Sequence, residues 1–92
     1  MRRFVWDEPK RLRNIEIHRL DFEDVVAFEW ETAAIAPSYS SRLGRQRFIA
    51  TGLFRGDLIT VVFSPLGAEA YSIISMRRAS RKERNDYDER QT

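Results

Sequence analysis

The spacing of apolar positions changes along the chain and divides it into a helical first third and a β-rich remainder. Phe4-Val5-Trp6 is a short apolar run, read as a first edge strand. Over 8–18, Leu12, Ile15 and His18 recur at i, i+3 and i+6, which predicts a helix with Arg11 and Arg13 on its opposite face. Asp7 stands where an N-cap belongs, and Pro9 is tolerated in the first turn because its missing N–H has no intrahelical partner there. A second helix is expected over about 22–30, capped by Asp21, with Phe22, Val25 and Val26 at helical spacing. Phe28 and Trp30 complete a segment assigned to the core.

Beyond residue 32 a period of two takes over. A weak strand at 32–36 is ended by Pro37, and a polar loop follows over 38–44. Strands are predicted at 46–55, 58–64 and 70–76, joined by a Gly56-Asp57 turn and a Pro65-Leu66-Gly67 turn. Residues 58–63 are nearly all apolar, so this strand should be central and covered on both faces. After Arg77 and Arg78, Ser80 and Glu83 have the spacing of a capping box. They open a polar helix over 81–90 whose one large, partly apolar residue is Tyr87. The fold class is α+β: an antiparallel sheet of four to five strands packed on two N-terminal helices, with a C-terminal helix, in one domain over 1–92.

Composition narrows the chemistry. There is no cysteine, which excludes disulfides and thiol catalysis. No apolar run approaches the ~20 residues of a membrane span, and the N-terminus lacks a signal peptide's apolar stretch, so a cytoplasmic protein is expected. Charge is segregated. Residues 1–20 carry six bases against three acids, 21–37 carry five acids and no base, and 38–60 carry four arginines against Asp57. Fourteen of the sixteen bases are arginine, whose planar fork suits phosphate better than lysine's point charge. A GC-rich genome would produce the same excess.

His18 is the one histidine, a candidate acid or base or a residue that packs at its helix end. One histidine with scattered acids makes no metal site, and no cofactor motif is present. Alternation places Arg47 with Ile49, Thr51, Leu53 and Arg55 on one strand face. It groups Arg77 with Ile73 and Ser75, and Arg78 with Ile74 and Met76. An arginine of the last strand brought near Arg47 would need an anion between them; the alternative is solvated arginines at a sheet edge.

Several of these pieces recur together in a known pattern. They are Phe4-x-Trp6-Asp7-Glu8-x-Lys10, Asn14 and His18, Asp21-Phe22, Gly44-Arg45-Gln46-Arg47-Phe48, and Ile73-Ile74-Ser75-x-Arg77-Arg78-Ala79-Ser80-x-x-Glu83 with Tyr87. From Phe4 to about Glu89 the chain resembles the BrnT family of type II toxins. The resemblance implies a fold similar to RelE-type ribonucleases and metal-independent RNA cleavage that blocks translation. It also implies a ribbon-helix-helix antitoxin of the BrnA type, and operator DNA bound through the complex. Carried over by motif, His18, Arg47 and Arg77 are the catalytic candidates; Arg45, Arg78 and Tyr87 are expected as substrate contacts, with Tyr87 also a candidate for proton transfer. Two positions depart from the family pattern: Arg45 stands where an acid is common, and Ile17 where a lysine is common. They define the alternative, a module that keeps the partner and regulatory roles without cleavage.

Overall fold

A computed structural model describes residues 2–38 and 44–92. Most of the polar loop expected over 38–44 therefore lies outside the described residues. Asp7 caps α1 (Glu8–His18), its side chain accepting from the Lys10 N–H at 3.2 Å. The buried side of α1 is not the Leu12–Ile15–His18 stripe. Leu12 is 57% exposed, whereas Asn14 is buried. Asn14 is drawn inward by backbone groups: its Nδ2 donates to the Leu20 and Met76 carbonyls, both at 2.9 Å, and its Oδ1 accepts from the Met76 N–H at 3.2 Å.

The remaining elements form one sheet and a final helix. The strands are β1 (Arg3–Val5), β2 (Ala34–Pro37), β3 (Phe48–Phe54), β4 (Asp57–Leu66) and β5 (Ala70–Arg78), and α2 spans Arg81–Gln91. Their order is β1-β5-β4-β3-β2. The sheet is mixed, because β1 runs parallel to β5 while the other pairs are antiparallel. β4 is central, as its apolar run predicts: Thr60 and Val61 are fully buried, and Phe63 is 2% exposed. The β1 pairing ends at Ser72. Farther along β5, Asn14 satisfies the free N–H and C=O of Met76 in place of a sixth strand. Asn14→Leu strands these groups and should cost about 1–3 kcal/mol. Urea denaturation measures this, and an unchanged midpoint would refute the clamp.

Two turns and one helix differ from expectation. The β3–β4 hairpin turns on Arg55-Gly56, one residue earlier than Gly56-Asp57, with Phe54 paired to Asp57. Arg55 and Gly56 both have positive φ (50° and 89°), as a primed two-residue turn requires. Pro65 and Leu66 belong to the β4–β5 ladder, so the second turn falls at 67–69. The second helix is not an α-helix. Asp21 caps a 3₁₀ segment, Phe22–Ala27, and a second 3₁₀ turn spans Trp30–Thr32. Between them Phe28 is extended and bridges to Phe54, and the Glu29 N–H donates to the Leu53 carbonyl at 2.9 Å. This long-range pairing removes the residues an α-helix would need.

The core lies between these 3₁₀ segments and one sheet face. Phe22, Val25 and Phe28 pack with Ala50, Phe54, Ile59, Val61, Phe63, Ile73 and Met76. Gly52 fits this layer because a Cβ there would sit 3.0 Å from the Phe28 ring and 3.1 Å from the Ala33 Cβ. A register shift at Val62/Phe63 pairs Val62 with Ser75 and Phe63 with Ile73. Ile73 and Met76, three residues apart, are thereby both in the core. The grouping of Arg77 with Ile73 is corrected: Arg77 shares a face with Ser75 and not with Ile73.

Candidate functional site

The face opposite the core has two rows across the strands. Arg77 pairs with Thr60, which pairs with Thr51, and Ser75 pairs with Val62, which pairs with Ile49. α2 approaches this face through a polar network. Glu83 receives both guanidinium nitrogens of Arg77, at 2.8 and 2.9 Å. Its Oε1 also accepts from the Thr60 hydroxyl at 2.9 Å and the Ser80 N–H at 2.8 Å, completing the capping box read from the sequence. Thr60 meets Thr51 at 2.9 Å. The Arg77 guanidinium, with the Ser80 N–H and Thr60 hydroxyl, holds the Glu83 carboxyl at about 2, far below its usual range. In return Glu83 raises the pKa of Arg77.

Elsewhere this face meets α1 in an open cleft of about 330 Å³. Lys10, Arg13, Asn14 and Ile17 form its helical wall at i, i+3, i+4 and i+7, with His18 beside them. Arg47, Ile74 and Ser75 complete it from the sheet side. Among the described residues no carboxylate lines this cleft. The side chains of Lys10, Arg13, His18 and Arg47 make no hydrogen bond or ion pair with other described residues. Four groups able to carry positive charge therefore face one open space, an arrangement that favours an anionic ligand. Arg11, one position from the wall, fixes the helix. It binds Asp21 at 2.8 and 3.1 Å and also pairs with Glu8 and, at 3.5 Å, with Glu23. The Arg11 contact, reinforced by the Glu23 N–H, pulls the Asp21 pKa below its usual value.

The sequence-predicted residues thus fall in different places. His18 and Arg47 share the cleft. Arg77 lies four residues along β3's direction and two strands across, about 17 Å away by Cα at ~3.4 Å per residue and ~4.8 Å per strand, and is engaged by Glu83. Arg78 lines a neighbouring cleft with His18. Arg45 lines a third, with Phe48, Ser64 and Leu66, which shares no residue with the other two. Tyr87 is 8% exposed and is packed within the fold. Lys10, Arg13 and Ser75 entered the sequence reading as motif or helix-face positions and not as site residues; the 10/13/14/17 spacing was the available signal. Among the described residues no group of three His, Asp or Glu side chains could hold a metal ion, and no helix is long and apolar enough to cross a membrane.

Fold and cleft define a small α+β protein with an uncommitted cationic cleft between its first helix and its sheet. The family model described as "Ribonuclease toxin, BrnT, of type II toxin-antitoxin system" matches residues 6–83. The chain belongs to the BrnT family of ribonuclease toxins. Among solved structures it is similar to the crystal structure of the Brucella abortus ribonuclease toxin BrnT, at 40% identity and a TM-score of 0.72, over 88% of this chain and 100% of that one. No curated protein matches the chain.

Proposed function

We propose that this chain cleaves RNA without a metal ion, in the cleft shared by His18 and Arg47. The observation that carries this reading is the convergence of Lys10, Arg13, His18 and Arg47 on one open space, their side chains without a hydrogen bond or ion pair to other described residues. In the reaction the 2′-oxygen forms a bond to phosphorus as the bond to the 5′-oxygen breaks. His18, in its neutral form, accepts the 2′-OH proton, and solvent at the open cleft supplies the proton that the leaving 5′-oxygen takes. Arg47, with Lys10 and Arg13 nearby, stabilises the charge that builds on the phosphorane. The products are a 2′,3′-cyclic phosphate and a 5′-hydroxyl. Arg77 extends the cationic surface along the sheet, oriented by Glu83. RNA affinity falls as salt rises, because phosphate contacts release counterions.

In the cell this activity blocks translation in the cytoplasm. A ribbon-helix-helix antitoxin binds the toxin, and the pair occupies operator DNA. Inducing the chain alone with a pulse label of new protein tests the reading. Protein synthesis should collapse, and His18→Ala at equal abundance should restore it. Normal synthesis in the presence of folded wild-type protein would refute it. A second reading has its own support: no carboxylate among the described residues lines the cleft, and Arg45 stands where the family often has an acid. Under it the chain binds its antitoxin and regulates its operon without cleaving RNA, so a stable complex forms and growth continues.

A further inference from the structure

A second cleft adjoins the first, and His18 lines both. It is smaller, about 210 Å³, and at ~30 Å³ per water has the volume of roughly seven waters, space for one flat heterocycle. Its floor is apolar. Leu20, Phe54 and Ile59 form it, with Phe54 and Ile59 at 7% and 2% exposure. Its rim is charged: Arg19 and Arg78 stand with His18, and Asp57 of the β3–β4 hairpin supplies one carboxylate. The side chains of these four residues make no hydrogen bond or ion pair with other described residues. Arg55 also lines the cleft, placed over the Phe54 ring at 4.8 Å and 3.5 Å from Asp24.

The backbone marks the same place. Among the described residues, the non-glycine positions with positive φ are Arg19 (60°) and Arg55 (50°). Asn or Gly is usual in this conformation. Both arginines line this cleft, so both strained positions present cations to it.

An apolar floor, free arginines and one free carboxylate call for a ligand with three properties: a flat apolar face, a negative charge, and N–H donors at its edge. A nucleotide has all three. The base lies over Leu20 and the Arg55 guanidinium that covers the Phe54 ring, and its phosphate meets Arg19 and Arg78. We propose that this cleft is the base pocket of the ribonuclease site and that Asp57 selects guanine. The proposal rests on the reading that RNA is cleaved beside His18. Guanine presents two adjacent N–H donors, N1–H and N2–H, that one carboxylate accepts together. Adenine and cytosine offer an N–H donor beside a ring-nitrogen acceptor, and uracil offers one N–H between two carbonyls. Each would set a lone pair against the second oxygen of Asp57, leaving a polar group unpaired. Because His18 borders both clefts, a guanine held here sets its adjoining phosphodiester beside His18, where the two clefts meet.

The test titrates GMP, AMP, CMP and UMP separately into the full chain and follows backbone amide NMR shifts, for wild type and Asp57→Asn. The same preparations are assayed for cleavage of oligonucleotides containing a single guanosine. GMP should shift Leu20, Phe54 and Ile59 and bind about tenfold or more tightly than the others, the discrimination of a good bidentate contact. Asp57→Asn should remove that preference. Equal binding of all four, a preference that survives in Asp57→Asn, or shifts in this cleft produced by the antitoxin and by no nucleotide would each overturn the proposal. Guanine preference without cleavage would support the pocket and sink the ribonuclease reading. Cleavage indifferent to the neighbouring base, unchanged in Asp57→Asn, would sink the pocket and leave that reading standing.

Discussion

Arg47→Ala is expected to slow RNA cleavage by about 10²- to 10³-fold, the usual effect of removing one preorganised donor from developing transition-state charge. The melting temperature should barely move. The Arg47 guanidinium has no hydrogen bond or ion pair with other described residues, so its removal strands no buried group. The rate and stability effects should therefore separate cleanly. Arg47→Lys keeps a charge but loses the planar fork, and should recover part of the rate. Single-turnover cleavage beside thermal melting measures both. A large loss of stability in Arg47→Ala would make Arg47 a structural residue, and a rate unchanged from wild type would remove it from the reaction.

Glu83→Ala should be the most destabilising single substitution considered. It leaves the Arg77 guanidinium unpaired, removes the acceptor for the Thr60 hydroxyl and opens the α2 capping box. Orphaning a fully buried ion costs about 3–5 kcal/mol. Here the Glu83 side chain is 11% exposed and that of Arg77 33%, so water screens part of the penalty and about 3 kcal/mol is expected. For a domain of this size that lowers the melting temperature by roughly 10–20 °C. The pH dependence follows from the same pair. The folded-state pKa of Glu83 is depressed, so its stabilisation is present above its unfolded value of 4.5 and is lost as pH falls toward about 2. Wild type should lose stability across that window, and Glu83→Ala should lose less. Parallel acid profiles for the two proteins would show that the pair contributes little.

The features legible in the sequence were the local ones. Asp7, Asp21 and Ser80–Glu83 cap their helical segments as read, because a cap depends on residues two or three positions away. The central place of β4 followed from its nearly continuous apolar run. What escaped depends on distant partners. Phe28 pairs with Phe54 and breaks the expected second helix. The register shift opposite Ile73 separates it from Ser75 and Arg77, and a strict period of two cannot foresee that. The wall of the cleft was hidden for a related reason. Met76 presents a free N–H and C=O at the edge of β5, and these select Asn14 over Leu12 as the buried residue of α1. That choice turns Lys10 and Arg13 toward the cleft. Glu83 was visible only as a capping residue, since its ion pair with Arg77 requires α2 to fold back against the sheet end.

The central claim is that His18 and Arg47 act together on RNA in one cleft. It is tested most directly by incubating a 5′-labelled RNA with purified wild type, His18→Ala and Arg47→Ala in the presence of a chelator, each confirmed folded by its melting curve. Wild type should give fragments ending in a 2′,3′-cyclic phosphate, and both variants should cleave at least about 10²-fold more slowly. Cleavage by either variant at the wild-type rate, or no cleavage by folded wild-type protein, would contradict it.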